Sequence, residues 1–489
     1  MRRLSPLDAQ FLNVEDRVTF GHVGALIILD PADLPDDRLS LDSVRAVLEP
    51  RLHLATPFRQ RLADAPLGVG YPAWVDDADF DLEYHLREVG IPRPGTREQL
   101  GEQVARIHAR PLDRSRPLWE MYLVHGLENG RFALYSKVHH AAIDGISGAE
   151  LLAVLMDPTP EPRLVEPEPW DPGRPPDQWT KLTAASVSAL ARSRDLVTSL
   201  PKTLPYVTAL PGGRLLPGAR ALDEVTGVLR GLLGADEPPP RRVLTAPRTP
   251  FNGPITAHRR FAAVSLSLAE VKTIKNAFGL TVNDVVLALA AGALRRWLLD
   301  RDALPGVPLV TAVPVSVRGP ESAENGNQVS VMTVALPTHL GDPAGRLAAV
   351  ASDVADARTE FDTLPATLLQ DLSALVPTAL SGLAARALFR LVTVPGVPVN
   401  LFVSNVPGPQ MPLWIAGARV EGIYPVSAVT ELTGGLNITL FSYNGSLDIG
   451  LVACREMVSD VWRLAGYLAD ELVTLSELAA AEPADEANG

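Results

Sequence analysis

The sequence predicts an α/β protein built as two lobes of similar size joined by a helical connector. Strand and helix patterns alternate up to residue 156 and alternate again after residue 254. Two stretches, residues 157–178 and 235–254, interrupt these patterns, because dense proline sustains neither a helix nor a sheet. Between them, residues 179–233 keep a mostly helical pattern that prolines break.

The length of the chain agrees with this division. The chain has 489 residues, and at roughly 100–200 residues per domain this suggests two to four domains with full cores. We therefore assign residues 1–178 to a first lobe, residues 179–254 to the connector and residues 255–489 to a second lobe.

Strands and helices alternate in the first lobe. Residues 23–29 (VGALIIL) and 121–124 form short apolar runs that predict strands. Residues 41–48 and 98–107 repeat apolar side chains at helical spacing, which predicts two helices.

The second lobe shows the same alternation. Residues 262–266 and 309–317 are typical of strands, and residues 281–299 form a strongly apolar helix. Residues 433–449 predict two strands around the Asn-Gly turn at 444–445, because Asn-Gly adopts the turn that joins hairpin strands.

Composition excludes several classes of protein. A formal charge of −13 argues against a general nucleic-acid binder, which needs a basic face. The single cysteine, Cys454, excludes a disulfide framework and a cysteine-rich zinc site, and we expect it to be a small buried hydrophobe. Asp8 lies where a signal peptide needs an apolar run, and the uncharged stretch 391–418 contains five prolines. We expect a cytoplasmic protein with no signal peptide or transmembrane helix.

Two adjacent histidines follow a predicted buried strand at residues 132–138. His139 and His140 end this strand, and Asp144 and Gly145 lead into a predicted helix. Histidine is the usual general base near neutral pH, although a histidine at a strand end is also commonly a satisfied core residue. Neighbouring strand residues point to opposite faces, so the pair is a poor site for one metal ion.

The stretch from His139 to Gly145 resembles the HHxxxDG motif of the CoA-dependent acyltransferase superfamily. The whole chain resembles the bacterial wax ester synthase/diacylglycerol acyltransferase family, and the motif positions show no departure from it. The supporting stretches lie in order along the chain: LSPLD at 4–8 with Phe11-Leu12, PLW at 117–119, NDVVLA at 283–288 and SNVPGP at 404–409.

The resemblance implies two chloramphenicol-acetyltransferase-like lobes that form a V around a central tunnel. It implies that His140 is the general base, that His139, Asp144 and Gly145 support the motif, and that the acyl group moves directly without an acyl-enzyme. Asp144 is then a structural residue paired with an arginine. Our candidate is Arg318, for which an ordinary surface position is the alternative.

Further candidates are structural or tunnel residues of the second lobe: Arg318, Asn283, Asp284, Ser404, Asn405, Gly408 and Pro409. Asn283-Asp284 opens the apolar helix, where N-terminal capping is the favoured alternative. Residues 404–409 line the tunnel by resemblance, or form only a rigid turn. Asn437 is a candidate for polar support near the channel, and Trp119 is expected to pack in the core.

The resemblance implies that the substrates are acyl-CoA and a lipid alcohol, either diacylglycerol or a long-chain fatty alcohol. No cofactor or metal is expected, because nucleotide-binding glycine motifs are missing and residues 145–149 lack the last glycine of G-x-S-x-G. Arginine makes up 39 of the 44 cationic side chains, which suits the phosphates of CoA.

We expect peripheral contact with a membrane or lipid droplet through residues 179–233, for which a spacer packed between the lobes is the alternative. The alternatives for function are an enzyme of the same superfamily that uses a carrier-protein thioester, a glycerol-phosphate acyltransferase and a non-catalytic lipid-binding relative.

Overall fold

Two six-stranded sheets form the framework of the protein. The computed structural model describes a set of residue ranges: 2–34, 38–64, 71–143, 153–173, 244–316, 329–362, 399–431 and 433–481. The predicted α/β fold with two sheet-rich lobes is confirmed.

The first sheet contains the strands of the first lobe and two strands from near the end of the chain. Its strands are β2 (His22–Asp30), β5 (Leu86–Gly90), β6 (Trp119–His125), β7 (Phe132–His139), β12 (Trp414–Ile415) and β13 (Ala418–Val426). Their order is β12-β13-β2-β7-β6-β5, and only β5 and β6 pair in parallel. β2 and β7 are central, so the strand that leads to the two histidines is held from both sides.

The second sheet lies entirely in the second half of the chain. Its strands are β8 (Arg259–Ser267), β9 (Leu309–Ser316), β10 (Val329–Leu336), β11 (Leu401–Val406), β14 (Leu436–Tyr443) and β15 (Ser446–Cys454). Their order is β10-β9-β11-β14-β15-β8, with β11 parallel to both of its neighbours. A small third sheet in the first lobe consists of β1 (Arg2–Arg3), β3 (Gln60–Ala63) and β4 (Ala73–Asp76), in the order β1-β4-β3.

Helices cover both large sheets. In the part of the chain that the structure describes, those of the first lobe include α1 (Pro6–Val14), α2 (Leu41–Leu48), α3 (Leu82–His85) and α4 (Arg97–His108), and those of the second include α5 (Leu268–Ala277), α6 (Val282–Leu299), α7 (Pro343–Asp362) and α8 (Val461–Ala481). In the second lobe, α6 and α8 share one buried core with the apolar face of β14, formed by Leu436, Ile438 and Leu440. The other face of β14 is therefore turned away from these helices.

β13 joins the two lobes, because it belongs to the first sheet and packs on β15 of the second. A methyl group on Gly450 of β15 would lie 1.7 Å from the carbonyl oxygen of Pro425, so only glycine permits this approach. The Asp448 carboxylate accepts the backbone N–H of Ile423 at 2.8 Å and the Ser265 hydroxyl at 2.7 Å. Its burial raises the pKa of Asp448, although these hydrogen bonds act in the opposite direction.

Most predicted elements are confirmed, with boundaries that differ by a few residues. The apolar runs predicted at 23–29 and 132–138 lie within β2 and β7, and the hairpin at 444–445 joins β14 to β15. One interpretation was wrong: residues 404–406 form the end of strand β11, not a turn, and only the residues after Val406 form the loop. The predicted strand at 121–124 also proves to be part of the longer strand β6.

Several predictions concern residues that the structure does not describe, or the division of the chain into domains. The helical connector at residues 179–233 and the helix expected after Gly145 fall outside the described residues. Strands β12 and β13 come from the range 255–489, so this part of the chain supplies two strands to the first sheet. The domain ranges and the tunnel stay predictions.

None of the helices that the structure describes is long and apolar enough to cross a membrane by itself. Helices α5 and α6 are long and apolar enough only when they are counted together, and the chain bends by 102° between them.

Candidate functional site

His140 begins the short 3-10 helix His140–Ile143 directly after β7. Its backbone N–H donates to the carbonyl oxygen of Gly21 at 2.8 Å, which ties the histidine to the residue before β2. Its ring stacks on Phe11 of α1, with the ring centroids 4.1 Å apart and the planes at 27°. One aromatic face therefore covers the imidazole, and the residue as a whole is half-buried.

The surroundings of His140 keep its ring neutral. Burial is the largest cause and the neighbouring His139 adds to it, and together they lower the pKa of His140 to about 4. At neutral pH the imidazole is therefore unprotonated at one ring nitrogen. This is the form that a general base needs in order to take a proton.

His139 is buried and plays a different structural part. The backbone N–H of Ala141 donates to its Nδ1 at 3.1 Å. Nδ1 is therefore an acceptor, and the ring proton lies on Nε2, which is 3.1 Å from the Glu15 carboxylate. His139 faces this carboxylate, whereas His140 faces Phe11.

Glu15 is a charged residue beside the two histidines that the sequence pattern did not indicate. Its carboxylate accepts the backbone N–H of Gly21 at 2.7 Å and pairs with Arg114 at 2.6 Å. Burial alone raises the pKa of Glu15, but His139, Arg114 and the Gly21 N–H outweigh it and lower that pKa to about 2. The group is thus an anion at every physiological pH. No spacing marks it in the sequence, because it follows α1 by a single position and belongs to no periodic pattern.

Gly21 lies between the two histidines and has no room for a side chain. A methyl group there would lie 2.9 Å from His139 Nε2 and 3.0 Å from the carbonyl oxygen of Phe11. Its N–H and carbonyl group are both used, by Glu15 and His140 respectively. The glycine therefore allows β2, α1 and the histidines to meet.

A second pair of histidines lies buried beside the first. His22 is opposite His139 in the pairing of β2 with β7, and its Nε2 donates to the carbonyl oxygen of His108 at 2.6 Å. His108 donates from Nε2 to the carbonyl oxygen of Ser427 at 3.2 Å and accepts the Tyr135 hydroxyl at Nδ1, at 2.8 Å. Burial lowers the pKa of His22 well below its ordinary value and that of His108 to about 3. Both rings are neutral structural groups.

These hydrogen bonds continue into the second lobe. The Thr439 hydroxyl donates to the Asn437 side-chain oxygen at 2.7 Å, so the Ser427 hydroxyl, 2.8 Å from Thr439 Oγ1, acts as its donor. Asn437 and Thr439 lie on the face of β14 that is turned away from α6 and α8. The structure thus places Asn437 in a polar bridge between the lobes.

A buried ion pair joins β7, the strand that ends at His139, to β6. Lys137 Nζ is 3.1 Å from Glu120 Oε2 and also donates to the carbonyl oxygens of Ile107 and Arg110 at the end of α4. Burial has the largest effect on the pKa of Lys137 and lowers it, although the Glu120 carboxylate acts in the opposite direction. These contacts fix β7 against β6 and α4 just before His139.

Asp284 lies in a capping box at the start of α6. The backbone N–H of Thr281 donates to its carboxylate at 2.8 Å, and the Asp284 N–H donates to the Thr281 hydroxyl at 3.2 Å. The adjacent Asn283 is in the first turn of α6. This arrangement supplies the helix N-terminus with the capping interactions that it needs.

The remaining candidates fall at two places. Ser404 and Asn405 lie on β11, while Gly408 donates its N–H to Ser442 Oγ at 3.1 Å and the Pro409 carbonyl oxygen accepts the N–H of Asn444 at 3.1 Å. The loop after β11 is thereby fastened to the hairpin of β14 and β15. Three further candidates, Asp144, Gly145 and Arg318, lie outside the described residues.

Trp119 and Cys454 occupy the positions expected from the sequence. Trp119 is buried and donates its ring N–H to the carbonyl oxygen of Phe58 at 3.0 Å, and Cys454 is fully buried. In the described ranges, no group of three or more histidine, cysteine, aspartate or glutamate side chains is arranged to hold a metal ion.

Comparison with known proteins gives family matches over most of the chain. Residues 4–286 match the model of the wax ester synthase/diacylglycerol acyltransferase catalytic domain, and residues 325–476 match the WS/DGAT C-terminal domain. A putative diacylglycerol O-acyltransferase of Mycobacterium tuberculosis is 36% identical over 99% of this chain and 92% of its own length.

Solved structures agree with this result. The wax ester synthase/diacylglycerol acyltransferase of Marinobacter aquaeolei VT8 is 31% identical and has a TM-score of 0.66, with 98% of this chain and 100% of that chain covered. The first condensation domain of the calcium-dependent antibiotic synthetase shares the fold, with a TM-score of 0.51 at 16% identity over 100% of this chain and 99% of that chain.

Proposed function

This chain belongs to the wax ester synthase/diacylglycerol acyltransferase family, and we propose from that membership that it esterifies a lipid alcohol with the acyl group of acyl-CoA. It is an O-acyltransferase. The observation that carries the chemistry is the neutral His140, partly exposed and stacked on Phe11, within the part of the chain that matches the catalytic domain.

In the proposed reaction, His140 removes the proton from the hydroxyl group of the acceptor as its oxygen attacks the thioester carbonyl. The carbon–sulfur bond then breaks, and the departing CoA thiolate takes the proton from the His140 imidazolium. The proton lost by the alcohol thus ends on the thiol, and no acyl-enzyme is formed. An imidazole that is neutral before the reaction suits the first step.

Diacylglycerol is the acceptor that we propose first, with a long-chain fatty alcohol as the second. The support is that the relative from Mycobacterium tuberculosis is named a putative diacylglycerol O-acyltransferase. We propose that acyl-CoA enters as a substrate, that no resident cofactor takes part, and that the protein meets its lipid acceptor by peripheral contact with a membrane or lipid droplet.

The test is an esterification assay with radiolabelled palmitoyl-CoA and either dioleoylglycerol or hexadecanol. We expect labelled triacylglycerol, and wax ester if the alcohol is accepted. His140→Ala should lower the rate by about 10²–10⁴, because it removes the general base. His125→Ala is the matched control, since this histidine is exposed at the far end of β6 and should leave the rate unchanged.

Two results would contradict the proposal. Full activity of His140→Ala would exclude the mechanism, and failure of the wild type with both acceptors would exclude the substrate class. Activity with an acyl group on a phosphopantetheinyl carrier, but not on CoA, would favour the carrier-dependent alternative. Binding of lipid without turnover of any thioester would favour the non-catalytic one.

A further inference from the structure

Glu15 uses its two carboxylate oxygens for different partners. Oε1 accepts the backbone N–H of Gly21 at 2.7 Å and lies 3.1 Å from His139 Nε2. Oε2 pairs with Arg114 Nη2 at 2.6 Å. Only 12% of the Glu15 side chain is exposed, whereas Arg114 is 47% exposed, so the anion is enclosed and its counter-ion reaches it from the surface.

Each partner of Glu15 connects to the candidate base by a separate route. The Gly21 N–H donates to Glu15, and the Gly21 carbonyl oxygen accepts the backbone N–H of His140. Arg114 also donates to the carbonyl oxygen of Leu12 at 2.7 Å, next to the Phe11 ring that stacks on His140. The carboxylate thus reaches the Gly21 backbone through one hydrogen bond and the end of α1 through Arg114.

We propose that Glu15, with Arg114 as its counter-ion, is a positioning residue that holds His139 and the Gly21 backbone so that His140 keeps its place for acyl transfer. The proposal rests on the proposed function, because it concerns the same histidine. Glu15 does not touch the substrate in this scheme. It acts through Gly21, His139 and the end of α1.

The separate roles of the two oxygens allow a specific test. Glu15→Gln keeps one acceptor oxygen but introduces an NH₂ group, which meets the Arg114 guanidinium if the oxygen remains on Gly21 and His139. If the amide flips, its NH₂ group instead meets the N–H donors of Gly21 and His139. In either orientation, the amide NH₂ group faces another hydrogen-bond donor, which is unfavourable. Shortening Arg114 in the same chain removes the conflict, since water can reach this half-exposed position.

We expect Glu15→Gln to lower kcat by roughly 10- to 100-fold, the scale of a small misplacement of a catalytic group, and to leave KM for both substrates within about twofold. Arg114→Gln alone should lower kcat less than tenfold, because Glu15 keeps its contacts with Gly21 and His139. The double variant should have a kcat several times higher than Glu15→Gln. Glu421→Gln is the matched control, since it also removes a carboxylate from an arginine pair, with Arg131 at the surface.

The outcomes separate this proposal from the proposed function. A wild type without acyltransferase activity overturns the proposed function. With an active wild type, unchanged kcat in Glu15→Gln, a loss confined to KM, or strictly additive effects in the double variant overturn the positioning role. If Glu15→Gln does not fold by circular dichroism, the comparison of Arg114→Gln with Glu421→Gln decides: a fall in kcat only in the former supports the role, and equal kcat values overturn it.

Discussion

Removing the Phe11 ring should move the acid limb of the pH–rate profile toward neutral pH. Burial is the main cause of the low pKa of His140, which is about 4, and the Phe11 ring covers one face of that imidazole at 4.1 Å. The base must be neutral to act, so activity is lost as the pH falls through this pKa. At pH 5 roughly 90% of the wild-type base is neutral, compared with about 3% for an unperturbed histidine.

Phe11→Ala admits water to the ring and reverses part of this effect. A rise in the pKa of His140 by about one unit would leave roughly half of the base neutral at pH 5, so kcat/KM at that pH should fall about twofold relative to its plateau. Release of CoA, followed with a thiol reagent active in acid, gives kcat/KM from pH 4 to 8, and this ratio reports groups of the free enzyme.

The matched control is Phe80→Ala, which removes a ring stacked on a different histidine, His85. Its acid limb should coincide with that of the wild type. A wild-type midpoint near 6.5 would refute the argument that burial keeps His140 neutral. A Phe11→Ala profile that coincides with the wild type, in a protein still folded by circular dichroism, would refute the part assigned to the ring.

Three further predictions concern stability. Gly450→Ala places a methyl group against the Pro425 carbonyl oxygen and should lower the free energy of unfolding by at least about 2 kcal/mol in urea titrations, whereas no change would mean that β13 and β15 are not in contact as described. Arg51→Met removes the guanidinium that pairs with the buried Asp157 carboxylate at 2.9 Å and leaves that of Arg163 at 3.7 Å, so it should cost about 3 kcal/mol, a loss that replacing Asp157 by leucine in the same chain should reduce. Because the pKa of His108 is lowered by burial to about 3, stability is highest above pH 6.5 and falls between pH 6.5 and 3 by about 1.4 kcal/mol per pH unit for this group. His108→Gln should flatten the measured slope by that amount, and an unchanged slope would contradict the assignment.

Local pattern was enough to predict the strand that leads into the motif. The apolar run at residues 132–138 predicts β7, and the residues that follow it place both histidines at the end of a buried strand. The apolar helix at 281–299 was predictable for the same reason, with Thr281 as its N-cap. In each case the burial of one continuous segment determines the structure.

Contacts between distant segments were not predictable in this way. Glu15 contacts His139 only because the end of α1 lies beside the end of β7. No periodic pattern in the sequence predicts that these two ends are close. Likewise, nothing in residues 418–426 indicates that they pair with β2 rather than with strands near them in the chain. The hydrogen-bond acceptors of His22 and His108 are backbone carbonyl oxygens, which every residue type supplies. The amino-acid sequence therefore does not indicate which groups accept these hydrogen bonds.

β13 also has a consequence for biosynthesis. Until residue 426 has left the ribosome, the edge of β2 has no partner, although β2 and β7 are already present. A nascent chain of intermediate length therefore exposes an unpaired and apolar strand edge, which is the kind of surface that templates aggregation. Chaperone binding during this interval would protect the edge. A chain that terminates before residue 418 contains both histidines but lacks β13. In such a chain β2 pairs with β7 on one side and has no partner strand on the other.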